Sequence, residues 1–295
     1  MSHFAVLVIG DNIDEQLEKF DENLETPRYV KYTKEQLIAE KRKEIEEYKN
    51  GTYAKYLADP EAYAADCTNE NHLNYLKNEF PKKLEWTDEE IYAEGVKWYE
   101  KSEIGPEGEV YSTYNPNSKW DWYQIGGRYA GRLILKEGVE KEAEPEFSWG
   151  WDANAKEEVL KQPRVDTALV GNIDWSKMHN VQSKYDDAIR FWEMKVEGAE
   201  PTTDEEKDQL KWDWYKPSFY LDRYKNKETF AKSRSCFTMW AIVKDGEWFE
   251  KGKMGLWAMS SETDDEALDW ELNMYDRFIK DLPADTRITV VDCHI

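Results

Sequence analysis

The sequence predicts an α+β protein with a mixed or antiparallel sheet, built from N-terminal, central and C-terminal strands, and a mainly helical insertion. Three observations support this fold class. Residues 4–9 form a continuous apolar run typical of a buried strand, and residues 287–294 are expected to form the last strand. Residues 30–100 contain helix-start patterns and apolar residues at helical spacing. Residues 237–250 have the pattern of a β-hairpin. Strands that are segregated from helices along the chain are typical of the α+β class.

The helix starts are indicated by capping boxes, in which Thr is followed three residues later by Gln or Glu. Such boxes occur at Thr33 with Gln36, Thr87 with Glu90, and Thr263 with Glu266. Apolar residues on one face predict a further helix over about 181–196. Short strands are expected at 133–135 and 167–170, and Asp245-Gly246 predicts the turn of the hairpin.

The elements suggest a discontinuous core and two other regions. Residues 1–29 with 110–180 and 235–295 are expected to form the α+β core, and residues 30–109 the helical insertion. Residues 181–234 are expected to form a helix followed by an acidic/basic arm or linker. In that region an acidic, proline-containing stretch is followed by residues 211–234, which hold seven basic residues against three acidic ones.

Composition limits the possible functions. The chain has 40 Lys and Arg against 62 Asp and Glu, a net charge of −22, which excludes a general binder of the nucleic-acid backbone. Its 14 Trp and 18 Tyr argue against disorder. No apolar run is long enough for a membrane span, and the N-terminus lacks the basic region of a signal peptide. Three widely spaced cysteines fit a reducing cytosol.

The glycine-rich motif at 126–131 does not have the spacing of a phosphate-binding loop. Gly126, Gly127 and Gly131 lie beside Arg128 and Arg132, but the motif precedes a predicted strand, whereas phosphate loops precede a helix. We therefore expect Gly126 and Gly127 to be structural, forming a tight turn or bulge where the backbone packs against an indole.

The C-terminal run Asp292-Cys293-His294 resembles part of a thiol nucleophile site. Adjacent residues of a strand point to opposite faces, so Cys293 and His294 are not expected to converge. Pairing of the terminal strands would bring His294 to His3, which gives at most two ligands for a metal. The sequence therefore predicts no catalytic residue, no metal site and no cofactor.

The tryptophans are the most informative residues. They occur in Trp-x-Trp pairs at 120/122, 149/151 and 212/214. Core packing is the commoner use of such pairs, and we expect Trp120 and Trp122 to be structural. The pair at 149/151 lies in the segment 137–158, which holds eight acids against two lysines, and this context favours a partner interface. The interface candidates are Trp149, Trp151, Glu142, Glu144, Glu146, Asp264, Asp265 and Glu266.

The pentapeptide Lys-Trp-Asp-Trp-Tyr occurs twice, at 119–123 and 211–215. The residues that follow the two copies have nothing in common. One shared pentapeptide is too short to indicate a structural repeat.

The two ends and the centre of the chain together resemble a widespread set of bacteriophage proteins. The blocks that carry the resemblance are Met1-Ser2-His3-Phe4-Ala5-Val6-Leu7-Val8, the central Trp-Asp-Trp-x-x-x-Gly-Gly-Arg-Tyr, and Thr289-Val290-Val291-Asp292-Cys293-His294-Ile295. In length, acidity and these blocks the chain is most similar to the branch of Gabija anti-defence proteins. No catalytic motif carries over, and residues 30–100 and 197–234 match no block.

The resemblance implies a phage protein that acts in the cytoplasm of the host cell. Such a protein would bind the bacterial Gabija complex, a nuclease-ATPase with a helicase-like subunit, stoichiometrically and as a homo-oligomer. It would block DNA binding and cleavage by that complex, without contacting nucleic acid or a membrane itself. A negative surface is suited to this role, because a basic DNA-entry surface attracts it over long range.

Two alternatives stay open. The chain could be an acidic DNA mimic that inhibits another DNA-binding protein, with the acidic clusters at 137–158 and 261–271 imitating phosphates. It could also be a small phage hydrolase acting on a nucleotide signal, for which the only visible candidates are Asp292, Cys293, His294 and Arg128.

Overall fold

The computed structural model describes residues 2–254 and 260–295, and it confirms the α+β class. The helices are α1 (Ile13–Glu18), α2 (Lys34–Tyr48), α3 (Ala54–Ala58), α4 (Pro60–Asp66), α5 (Glu70–Asn74), α6 (Phe80–Lys83), α7 (Asp88–Gly95), α8 (Ala153–Lys161), α9 (Gln182–Lys195), α10 (Asp204–Trp212), α11 (Pro217–Tyr224), α12 (Lys227–Ser235) and α13 (Asp264–Phe278). The strands are β1 (His3–Ile9), β2 (Tyr29–Tyr32), β3 (Val110–Ser112), β4 (Trp122–Ile125), β5 (Leu133–Ile134), β6 (Arg164–Val165), β7 (Thr167–Leu169), β8 (Ala241–Lys244), β9 (Glu247–Glu250) and β10 (Arg287–His294).

The main sheet is mixed, and the two terminal strands form its centre. Within the described residues its order is β4-β10-β1-β8-β9, with β7 also paired to β10. β1 and β10 run antiparallel, with His3 opposite His294, whereas β1 and β8 run parallel. The predicted hairpin forms as β8 and β9, and the predicted terminal strands and the strand at 167–170 are also confirmed.

Each face of the sheet is covered by its own apolar cluster because the central strands are apolar on both sides. One cluster contains Leu7, Ile242, Val290 and Met274 of α13. The other contains Val6, Val243, Cys293 and Trp120. Alternation along β1 and β10 sends neighbouring residues to opposite clusters.

The chain divides into two compact units, residues 1–24 with 115–295 and residues 25–114. The second unit is mainly helical, although its ends pair as β2 and β3. Its helices α2 and α7 start at the predicted capping boxes of Thr33 and Thr87. Leu37, Leu76 and Phe80 are buried within this unit.

The expectation of an arm or linker within residues 181–234 is wrong in detail. The stretch that follows α9 folds as α10, α11 and α12, and aromatic residues of α9, α11 and α12 form a third apolar cluster. Thr203 caps α10 and Pro217 begins α11, so local helix-start signals were present in this charged stretch.

Candidate partner-binding surface

The acidic loop, residues 137–152, presents Trp149 to solvent. The indole is fully exposed, with a relative accessible surface of 101%. Gly150, which follows it, has a φ of +90°, a conformation that glycine adopts without strain. Trp151 is only half-buried, because its ring packs edge-on against Phe147 with 4.9 Å between centroids. The two indoles of this pair therefore have different environments.

The acidic loop is held at Glu146 by a buried carboxylate. Asp166 is 4% exposed, and it accepts hydrogen bonds from the backbone N–H groups of Gly131 and Glu146, both at 2.6 Å. Burial raises the pKa of Asp166, while the two N–H donors act in the opposite direction. The Gly127 N–H also donates to the Glu146 carbonyl at 2.8 Å. These contacts fix the backbone three residues before Trp149.

The loop is also held by a second backbone bond just before Trp149 and by a helix cap just after it. The Ser148 N–H donates to the Gly127 carbonyl at 3.2 Å. Asp152 caps α8 by accepting from the N–H groups of Asn154 and Ala155. The last part of the acidic segment, residues 153–158, is therefore helical. An exposed Trp149 between two fixed points needs little ordering on binding, which favours affinity.

Gly126 and Gly127 form a tight turn, with φ of +69° and +57°. The expected packing against an indole is wrong, because the turn packs against two carboxylates. A Cβ at Gly126 would overlap the Asp166 carboxylate, and a Cβ at Gly127 would overlap that of Asp292. Asp292 in turn accepts from the Arg128 N–H at 2.8 Å. Buried carboxylates that accept backbone N–H groups thus shape the glycine-rich motif.

The acidic interface candidates differ in whether their carboxylates form ion pairs within the chain. Glu142 pairs with Arg287 at 2.7 Å and Glu144 with Lys141 at 2.8 Å, although both carboxylates stay more than half exposed. Such exposed pairs contribute little to stability, so both remain open to a partner. The side chain of Glu146 is also exposed.

The second acidic cluster opens α13. Glu266 completes the capping box with Thr263, which lowers the pKa of Glu266. Its carboxylate therefore takes part in starting the helix, while the side chain stays exposed and its role at an interface stays a prediction. Asp264 lies 3.5 Å from Arg223, and Asp265 is exposed.

The expectation that Trp120 and Trp122 share a structural role is half wrong. Trp120 is 7% exposed and lies in one of the two sheet clusters, as expected. Trp122 is 41% exposed and stacks on His294, with 5.2 Å between ring centroids. Trp120 precedes β4 and Trp122 begins it, so the alternation that would place both indoles on one face does not apply.

The start of β1 and the end of β10, where His3 lies opposite His294, have the expected geometry. His3 and His294 face each other with 4.9 Å between ring centroids, but each Nδ1 lies against a carboxylate oxygen, of Asp292 at 2.9 Å and of Asp121 at 2.6 Å. Cys293 points to the opposite face, and burial raises its pKa well above the ordinary value. A protonated, buried thiol is a poor nucleophile.

Across residues 2–254 and 260–295, no three His, Cys, Asp or Glu side chains are grouped to hold a metal ion. In the same residues no helix has the length and apolarity needed to cross a membrane.

Sequence reasoning missed the role of Asp166 and the exposure of several indoles. Trp98, Trp212 and Trp214 are 85%, 67% and 88% exposed. Asp166 could have been noticed as a lone acid between Val165 and the short strand at 167–170. Exposure of the indoles had no comparable signal.

Comparisons with known proteins identify no relative of this chain. No protein-family model matches the chain, and neither a curated protein nor a solved structure resembles it significantly.

Proposed function

We propose that this protein is a phage-encoded anti-defence protein that binds the bacterial Gabija complex stoichiometrically and blocks its DNA binding and cleavage. The host cell cytoplasm is the place of action that follows from this role. The sequence blocks at both ends and in the centre support the choice of target. The geometry of the acidic loop supports the mode of action, which is occupation of a basic protein surface.

The observation that carries this proposal is Trp149, a fully exposed indole on a loop that is anchored on both sides. Trp is among the residues most often found at the energetic centre of interfaces, where truncation typically costs about 2 kcal/mol or more. Glu142, Glu144 and Glu146 lie in the same loop. Carboxylates around an apolar anchor are complementary to a basic surface.

The proposal includes homo-oligomerisation because the sequence resemblance implies it. The charge reversal between residues 197–208 and 211–234 would suit a head-to-tail contact between copies, but several of these charges are paired within the chain. Arg190 binds Glu206 at 2.8 Å, Lys195 binds Asp213 at 2.6 Å, and Arg223 binds Glu271 at 2.7 Å.

The experiment is a titration of DNA cleavage by the purified Gabija complex. We expect inhibition to be complete at a fixed ratio of the two proteins, because the inhibitor acts by occupancy. Trp149→Ala should weaken binding about tenfold or more and leave thermal unfolding unchanged. The matched control is Trp214→Ala, which removes another strongly exposed indole.

Three results would count against the proposal. Inhibition at far below one inhibitor per complex would indicate an enzyme. Equal binding by the Trp149→Ala variant and the wild type would show that Trp149 does not anchor the interface. Loss of all binding after neutralising Glu142, Glu144 and Glu146, with Trp149→Ala silent, would favour a DNA mimic.

A further inference from the structure

All the charged residues that line one cleft of the protein are cations. It has a volume of about 240 Å³ and lies within the unit that contains the main sheet. Its charged lining residues are Arg132, Arg164, Lys177 and Lys184, and its uncharged ones are Ile134, Met178, Cys236, Phe237 and Thr238. In a chain with 62 acids and 40 bases, four cations around one cleft oppose the overall charge.

The two arginines are held in place by neutral acceptors. Arg132 donates to the Thr238 carbonyl at 3.2 Å. Arg164 donates from Nη1 to the Gly131 carbonyl at 3.1 Å and from Nε to the Gln162 side chain at 2.6 Å. These bonds orient both guanidinium groups without neutralising them. Each guanidinium has five N–H donors, so each retains donors for a further acceptor.

The lysines add charge that is largely available. Lys177 lies 3.1 Å from Asp174, but its side chain is 57% exposed, and exposed pairs of this kind are weak. Lys184, on α9, is exposed and has no carboxylate within ion-pair distance in residues 2–254 and 260–295. Cations held close together repel one another, and an anion bound between them removes that repulsion.

A second cleft adjoins the first, because Arg132 and Thr238 line both. It has a volume of about 370 Å³, and its lining residues include the aromatic residues His3, Tyr129 and Trp240 together with Lys251 and Glu271. Aromatic rings in such clefts are able to stack with the flat base of a nucleotide. The pair of clefts therefore offers a site for a phosphate next to a site for an aromatic ring.

We propose that the four-cation cleft binds the phosphate group of a mononucleotide-sized organic phosphate, whose ring occupies the adjoining aromatic cleft. Guanidinium groups match the geometry of phosphate oxygens, and lysines add point charges. This site is separate from Trp149 and goes beyond inhibition of a protein partner.

The test is isothermal titration calorimetry of the full chain with AMP, inorganic phosphate and adenosine. We expect AMP to bind more tightly than inorganic phosphate and adenosine not to bind measurably. Raising the salt concentration should weaken AMP binding, because exposed charges are screened. A single-stranded oligonucleotide should bind no better than AMP, since the surface of the chain as a whole is acidic.

The variant Lys177→Gln/Lys184→Gln removes two exposed charges and should fold normally. Its affinity for AMP should fall about fivefold, the size expected for two exposed ionic contacts. The control is Lys280→Gln, whose side chain is 59% exposed and pairs with Asp276 at 3.6 Å, and which lines neither cleft. It should bind AMP like the wild type.

Absence of AMP binding at millimolar concentration would overturn the proposal, as would equal affinity of the double variant and the wild type. Binding of adenosine as tight as that of AMP would show that the phosphate is not recognised. Equal binding of phosphate and AMP would overturn the role of the aromatic cleft.

Discussion

The two copies of Lys-Trp-Asp-Trp-Tyr have different structures. In the first copy, at 119–123, Trp120 is buried and residues 122–123 belong to β4. In the second copy, at 211–215, the chain leaves α10, and Trp212 and Trp214 are both exposed. The same pentapeptide thus contributes a buried tryptophan at one position in the chain and two exposed tryptophans at the other. Local sequence did not decide whether these indoles are buried.

The difference arises from what surrounds each copy. The first copy is followed by a strand that pairs with β10, with Trp122 opposite His294. The second copy is followed by Pro217, which begins α11 and keeps the preceding Lys216 extended. The Asp of each copy also finds a different partner, His294 for Asp121 and Lys195 for Asp213.

The largest effect is expected for Trp120→Ala. Trp120 fills one of the two sheet clusters, and removing a buried aromatic side chain typically costs about 3–5 kcal/mol of unfolding free energy. Urea denaturation followed by circular dichroism measures this. A loss below about 1 kcal/mol would place Trp120 in the same class as the exposed indoles.

A smaller effect is expected for Asp213→Ala. Asp213 accepts from the Tyr220 hydroxyl at 2.7 Å and pairs with Lys195, and both partners of that ion pair are only 14% exposed. Leaving these groups without a partner should cost about 2 kcal/mol. Asp121→Ala, at the more exposed position of the first copy, should cost about 1 kcal/mol. A reversed order in urea denaturation would contradict this ranking.

Trp214→Ala should leave stability within about 0.5 kcal/mol of the wild type, because an exposed side chain loses little packing when it is truncated. The same urea titration provides the measurement. A clear loss of stability would show that the second copy contributes to the core after all.

The smallest effect concerns the helix that carries the second copy. Hydrogen bonds from the Arg190 side chain and the Thr202 backbone lower the pKa of Glu206 from its ordinary value near 4.5 to about 2. A lowered folded-state pKa stabilises the fold above about pH 4.5, and this contribution is lost as the pH falls towards 2. Arg190→Gln should therefore reduce the loss of stability over that range, measured as the melting temperature against pH.

Capping boxes and the hairpin turn were predictable because each depends on residues within a few positions of one another. Thr33, Thr87 and Thr263 all cap the helices expected of them. Thr203 with Glu206 has the same spacing, so α10 could have been predicted as well. The acidic composition around it favoured a linker instead.

The acidic loop shows where prediction from sequence ended. Its charge and its tryptophans identified it as a candidate surface. The anchor that holds it, Asp166, contacts Glu146 and Gly131 across 20 and 35 residues. No local pattern reports contacts of that range. The exposure of Trp149 and the half-burial of Trp151 depend on the same contacts.

The sequence by itself determined the α+β class, the presence of strands at both ends of the chain, the helix starts and the strong negative charge. These follow from periodicity, capping chemistry and composition, which act over short distances or over the chain as a whole. The tertiary structure decided which indoles are buried, which carboxylates are free, and which cations share a cleft. Those properties depend on which distant segments pack together, because burial and charge pairing are set by neighbours in space.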